Sequence, residues 1–234
     1  MKKLLNYFTK FEIALWCFSV TLILSAFLFF DKGGYLTLIT SLIGVTSLIF
    51  CSKGNAIGQV LMIIFSLIYG VISFGYRYYG EMITYLGMTM PMAIVALISW
   101  LKNPYKGNKS EVEVNTVKLA EVIFAFCLTV LITVIFYFIL RYLNVANLIP
   151  STVSVATSFF AVYLTFRRSP FFALAYASND VVLIILWILA SLNDVSYLSM
   201  TVCFVVFLFN DSYCFFNWLN IKRRQNSQSV SVLQ

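Results

Sequence analysis

Two carboxyl groups of this chain stand where a carboxyl group is costly. The dipeptides Asn179-Asp180 and Asn210-Asp211 lie near the middle of Phe171–Ala190 and Ser196–Leu219, segments that otherwise read as lipid-compatible helices. An ionised side chain at bilayer depth costs roughly 2.5–3.5 kcal/mol on insertion scales. Neither segment holds a Lys or Arg to pair with it. Such groups face a bundle interior or a water-filled cavity, so the two dipeptides point to a polar site inside a membrane bundle. The competing role is interhelical hydrogen-bond glue, for which a carboxylate is an expensive choice. Adjacent helical residues point about 100° apart, so within each pair one member aims at a central cavity and the other braces a neighbouring helix. The sequence leaves open which is which.

The surrounding residues set what such a site can hold. Tyr176 precedes Asp180 by one helical turn, Trp187 follows it by two, and Tyr213 lies three residues after Asn210. Aromatic faces beside a carboxylate suit a flat cationic ring, through stacking and cation–π attraction of about 0.5–2 kcal/mol each. In a chain with 18% aromatics, simple packing competes with that role at every one of these positions. Earlier in the chain, Ser66 and Tyr69 share a helical face, and Thr89 and Pro91 interrupt an apolar segment at mid-depth. A proline frees a carbonyl one turn earlier, which serves a ligand, a hinge or only a kink. The chain has no His, so the commonest metal ligand and proton shuttle are missing, and it has no phosphate-binding loop or Ser/His pair. We therefore expect no enzyme activity, no metal site and no cofactor.

The elements that position these residues are membrane spans. The chain is 61% hydrophobic and only 11% charged, which places it among integral membrane proteins. A helix-length window gives eight spans, roughly 13–30, 36–50, 57–75, 82–101, 119–140, 152–166, 171–190 and 196–219. The first reads as an uncleaved span. The polar link from Lys102 to Lys118 carries the turn signal Pro104-Tyr105-Lys106-Gly107-Asn108, and the tail after Lys222 reads as disordered. Assigning connections alternately to two sides leaves Lys32, Arg77 and Arg141 on one side and the other 13 of the 16 basic residues opposite them. The positive-inside rule then places both termini in the cytoplasm of a multi-pass protein of the cell (inner) membrane. It also explains the net charge of +7 without nucleic acid. The five cysteines fall in or beside apolar segments and read as packing residues rather than a disulfide framework.

Spans two to four and six to eight repeat weakly. One triplet ends Ser99-Trp100-Leu101-Lys102-Asn103 and the other Asn217-Trp218-Leu219-Asn220. Each has a basic turn after its first helix, at Lys53 and at Arg167-Arg168, and an aromatic outer turn before its last, Tyr76–Tyr79 and Tyr197. With span five as a linker, the expectation is an all-α integral membrane protein of eight transmembrane helices. Its core is a 3+1+3 arrangement of two parallel three-helix bundles, with a peripheral N-terminal helix outside the repeat. The units are 1–35 for the peripheral helix, 36–103 for the first bundle and 104–145 for the cytoplasmic loop and linker helix. The second bundle is 146–222 and the cytoplasmic tail 223–234.

The stretch from Gly80-Glu81-Met82-Ile83-Thr84-Tyr85-Leu86-Gly87-Met88-Thr89-Met90-Pro91 to Ser99-Trp100-Leu101-Lys102-Asn103-Pro104-Tyr105-Lys106-Gly107 resembles the PnuC family of nicotinamide riboside transporters. So do Tyr176-Ala177-Ser178-Asn179-Asp180 and Asn210-Asp211-Ser212-Tyr213. The resemblance covers about residues 36–222. It implies a SWEET-like core, a homotrimer, and facilitated diffusion of vitamin B3 into a bacterial cell, where a kinase traps it. On that reading Asp180 or Asp211 balances the pyridinium charge, while Asn179, Asn210, Ser66 and Thr89 bond the ribose hydroxyls and the amide. Tyr69, Tyr176, Tyr213 and Trp187 supply the aromatic faces. The alternatives are another vitamin on the same fold, thiamine or riboflavin, or a membrane subunit that transports nothing.

Overall fold

Each apolar run becomes a helix, because in lipid a backbone can satisfy its amides only along its own axis. The structure, a computed structural model, describes residues 7–75, 78–145 and 147–230. Among them are eight helices long and apolar enough to cross a membrane. These are α1 (Lys10–Phe30), α2 (Tyr35–Ser52), α3 (Ile57–Gly75), α4 (Tyr79–Lys102), α5 (Leu119–Tyr142), α6 (Leu148–Phe166), α7 (Phe171–Ser191) and α8 (Leu198–Val230). Lys2, Lys3 and Arg77 of the charge pattern, Tyr76 of the aromatic turn and residues 231–234 of the tail lie outside the described residues.

The helix ends carry recognisable stops. Thr9 and Glu12 form a capping box at the start of α1. Asn147 and Arg168, at φ 58° and 56°, and Gly54, at φ 67°, take the left-handed conformation at turns between helices. Gly58 is required for another reason. A Cβ there would lie 2.7 Å from the Cys51 amide nitrogen and 3.0 Å from the Ser47 carbonyl, so α2 and α3 touch through their backbones. The Ser47 hydroxyl donates to the Gly58 carbonyl at 2.7 Å across the same contact.

The polar link is ordered. Pro104–Tyr105 (β1) pairs antiparallel with Asn108–Val112 (β2). Lys106 and Gly107 occupy the turn with φ of 48° and 79°, the double positive φ of a type I′ hairpin. The tail expected to be disordered is instead helical as far as Val230. Its last turns dock on the hairpin: Gln225 is buried, accepts from the Val114 amide at 2.9 Å and donates to the Val112 carbonyl at 3.1 Å, while Arg224 pairs with Glu111. Composition alone favoured disorder, and tertiary hydrogen bonds reverse it.

The α2–α3 turn, the hairpin, the α6–α7 turn and the end of α8 lie together on one face. The Val112 amide donates to Gly54, and the Asn115 amide to Arg168. We call this the basic face.

The two triplets are joined by reciprocal hydrogen bonds. The Trp100 indole of α4 donates to the Thr165 carbonyl of α6 at 2.9 Å, and the Trp218 indole of α8 donates to the Cys51 carbonyl of α2 at 2.8 Å. One residue along, Ser99 donates to Phe166 and Asn217 to Ser52. The turns match as well: Asn55 bonds back to Phe50 as Ser169 does to Leu164, and Gly58 to Asn55 as Phe172 does to Ser169. The two indoles meet at 5.4 Å between ring centres. The shared Trp ending thus marks a repeated joint in which each third helix locks onto the first helix of the other bundle. α5 lies outside this joint and packs on α6, with Glu121 paired to Arg167.

Candidate functional site

The polar dipeptides of α7 and α8 converge. Asn179, Asp180 and Asp211 are buried and line one small cavity with Tyr176, Thr89, Tyr85 and Ser158, closed by Leu48, Met62, Phe65, Phe204 and Phe207. The Asp180 and Asp211 carboxyls share this one small cavity and interact electrostatically. Asp180 Oδ2 and Asp211 Oδ1 have no hydrogen-bond partner. Two carboxyl groups buried on one small cavity call for a cation or a shared proton between them.

The expected division of labour holds for Asn210-Asp211 but not for Asn179-Asp180, whose two members both line the cavity. Asn179 Oδ1 lies 2.8 Å from Thr157 Oγ1, 3.0 Å from Ser158 Oγ and 3.3 Å from Ser154 Oγ, which braces α7 against α6. Asn210 donates to Ser19 Oγ of α1 at 2.9 Å and to the Val206 carbonyl at 2.8 Å. Asn210 therefore ties the peripheral helix to the core and is not among the residues lining the cavity.

Other candidates separate in the same way. Tyr213 lies toward the basic face and donates to Glu12 of α1 at 3.0 Å. Glu12 also takes the Thr9 amide and Lys53, so this buried carboxylate is fully partnered. The Trp187 indole donates to the Tyr69 hydroxyl at 3.1 Å. Tyr69 stacks on Phe65 and lies 4.3 Å, centre to centre, from Tyr85. Tyr69 and Trp187 thus form an aromatic layer beside the cavity. Ser66 is fully buried with an unpartnered hydroxyl, on the same face of α3 as Tyr69.

Pro91 acts through the backbone. Without an N–H it cannot bond back along α4, and just before it the helix widens to a π turn over Tyr85–Thr89, with Met90 N–H reaching the Tyr85 carbonyl. Tyr85 and Thr89 both reach the cavity from this turn. Tyr85, Ser158 and the apolar lining escaped the sequence reading. Tyr85 had a signal, its i+4 relation to Thr89. Phe65, Phe204 and Phe207 had none, in a chain with 23 Phe residues.

The cavity volume is about 30 Å³, room for one water-sized body. A ligand of drug size needs several hundred Å³. Admitting one requires the bundles to move apart. A much larger concavity, about 640 Å³, lies between α5, α6 and α7 and is lined by groups such as Phe126, Phe160 and Leu174. It holds no carboxyl group and opens along the exposed apolar side of α5, so we read it as a lipid-facing groove. On the face opposite the basic one, burial and the nearby Asp194 raise the Asp31 carboxyl above its usual range, while hydrogen bonds to Ser196 hold Asp194 below it.

Two helix triplets joined by matching tryptophan hydrogen bonds, with a carboxyl-lined cavity between them and helices long enough to span a bilayer, define a membrane transporter for a small solute. The comparisons place it more closely. Residues 34–220 match the sequence model of the nicotinamide mononucleotide transporter family, and the chain belongs to that family. It is 25% identical over 232 residues to the nicotinamide riboside transporter PnuC of Neisseria mucosa, covering 97% of this chain and 88% of that one. Its fold matches the crystal structure of the vitamin B3 transporter PnuC with a TM-score of 0.82, at 21% identity, over 93% of this chain and 94% of the other.

Proposed function

We propose that the protein carries nicotinamide riboside across the cell membrane by facilitated diffusion and does not act as an enzyme. The observation that carries this reading is the composition of the cavity wall: two carboxyl groups, an Asn and several aromatic rings, with no Lys or Arg among the lining residues. A flat pyridinium with an uncharged ribose complements that wall. Asp180 and Asp211 take the ring charge, Tyr176 and Tyr85 its faces, and Asn179, Thr89 and Ser158 the amide and hydroxyls. Nicotinamide mononucleotide adds a phosphate, which would meet two carboxyl groups and no cation. The dephosphorylated nucleoside is therefore the better partner. Thiamine is also a flat cation and is the closest competitor; riboflavin is neutral.

In this reading the basic face is cytoplasmic, the two bundles rock about the cavity, and phosphorylation inside the cell retains the cargo. The exposed apolar helices fit a homotrimer in a lipid bilayer. The test is calorimetry on purified protein, with uptake of labelled nicotinamide riboside into liposomes challenged by nicotinamide mononucleotide, thiamine and riboflavin. Tight binding of nicotinamide riboside with weak competition by the other three is expected. Preference for thiamine or the mononucleotide would overturn the assignment.

A further inference from the structure

A third buried carboxyl group stands apart from the cavity. Glu81 is 2% exposed, in the first turn of α4 at the end away from the basic face, and its Oε2 has no hydrogen-bond partner. Among the described residues, no ion pair reaches it. The ordinary duty of a Glu at this position is to accept the amide that precedes the helix. That duty is already filled, because the Tyr78 amide bonds to the Ser73 carbonyl at 2.8 Å. Glu12 shows the contrast. It holds the same place in α1 and accepts the Thr9 amide at 2.7 Å, Tyr213 and Lys53.

Glu81 lies on a polar seam that leads to the cavity. Glu81, Tyr85 and Thr89 follow one another at four-residue steps on one face of α4, all buried, and Glu81 Oε2 and Thr89 Oγ1 are both unpartnered. Facing them on α3 are Ser66, Tyr69 and Ser73, fully buried, with both serine hydroxyls unpartnered. The Tyr69 and Tyr85 rings touch across the seam at 4.3 Å. Tyr85 is within electrostatic reach of Glu81 on one side and Asp180 on the other. Thr89 and Tyr85 line the cavity, so Glu81 lies one further turn out, about 6 Å along the helix from Tyr85. Buried polar groups without partners, as at Glu81, Thr89, Ser66 and Ser73, are costly, and ionisable groups inside membrane bundles mark substrate pathways.

We propose that Glu81 is a first binding station for the cationic ring on the side opposite the basic face, and that the Tyr69–Tyr85 pair separates it from the Asp180–Asp211 cavity. The cargo meets Glu81, slides between two aromatic faces, and exchanges one carboxylate partner for the next. This rests on the reading above, that the cargo is a pyridinium cation entering from the face opposite the basic one.

The test compares wild type, Glu81→Gln and Glu81→Asp in calorimetry and in liposome uptake. It uses nicotinamide riboside and its neutral 1,4-dihydro form. Glu81→Gln is expected to keep the calorimetric Kd within about twofold, to lower uptake of the cation at low concentration by about tenfold, and to leave uptake of the neutral form unchanged. Glu81→Asp, which keeps the charge, is expected to restore most of the cation uptake. Equal cation uptake by wild type and Glu81→Gln would overturn the station, and so would parallel loss of both forms, which marks a structural role. A wild type that binds no nicotinamide riboside would overturn the functional reading itself, and the station with it.

Discussion

The two three-helix bundles share a frame and differ in what they place in it. The frame is set by backbone acceptors: Trp100 on Thr165 and Trp218 on Cys51, with Ser99 and Asn217 repeating the pattern one residue away. Because the α2–α3 and α6–α7 turns share three matching backbone hydrogen bonds, the register carries into α3 and α7 and puts Ser66 in the place of Asp180 and Phe65 in the place of Asn179. From the matched tryptophans backward, Ala93 stands in the place of Asp211 and Met92 in that of Asn210. One triplet thus brings the carboxyl and amide groups together with Tyr176, Phe204 and Phe207, and the other brings Phe65, Tyr85 and Thr89 and no charged group. The lesson is that backbone-directed contacts preserve the scaffold whatever the side chains. The side chains facing the interface are then free to diverge, so that one wall carries carboxyl groups and the other carries none.

The sharpest way to break this comparison is to treat matched positions alike. Asp180→Ala should weaken nicotinamide riboside binding by about 2–3 kcal/mol, the upper scale for a hydrogen bond to a charged group, whereas Ser66→Ala should cost less than about 1 kcal/mol. Calorimetry on monodisperse protein decides, and equal losses would show that the acidic wall is not special.

If the charge of the site serves a cationic cargo moved alone, a membrane potential should drive it. One elementary charge gains about 2.3 kcal/mol per 100 mV, or about fiftyfold accumulation at equilibrium. Liposomes with a potassium diffusion potential, negative inside and without a pH gradient, should take up more substrate, and reversing the potential should reduce uptake. Uptake that follows an imposed pH gradient and ignores voltage would instead indicate a proton travelling with the Asp180–Asp211 pair.

The frame itself is tested at its closest approach. Gly58→Ala puts a methyl against the backbone of α2 and should lower stability by about 1–3 kcal/mol, the range for overpacking. At the matching place in the other bundle stands Phe172, whose ring lies 4.9 Å from that of Trp218. Thermal unfolding in detergent measures the difference, and an unshifted midpoint would mean that the α2–α3 contact relaxes freely.

The smallest effect should also be the most symmetric. Trp100→Phe and Trp218→Phe each delete one buried indole hydrogen bond and should each cost about 1 kcal/mol. A large inequality in thermal shift would show that the two joints do not bear equal strain.

The sequence by itself determined the number of spans and the matched Trp endings on which the two joints are built. Hydropathy is a local quantity, and a chain in lipid has few alternatives to a helix, so the eight runs became eight helices, most with ends close to those expected. It also located the acids, because a carboxyl group amid Val, Leu and Phe is conspicuous whatever the fold. Only the tertiary structure decided which members of the dipeptides face the cavity, since that depends on helix rotation: Asn179 and Asp180 both reach it, whereas Asn210 turns to Ser19 of α1 and Asp211 turns to the site. It alone made the tail helical, through Gln225 and the hairpin, because those hydrogen bonds join residues more than a hundred positions apart. Tyr85 and Glu81 became notable for the same reason. A Tyr or a Glu near a helix start is ordinary in sequence, and it acquires meaning only when packing buries it, removes its usual partner and turns it toward a cavity.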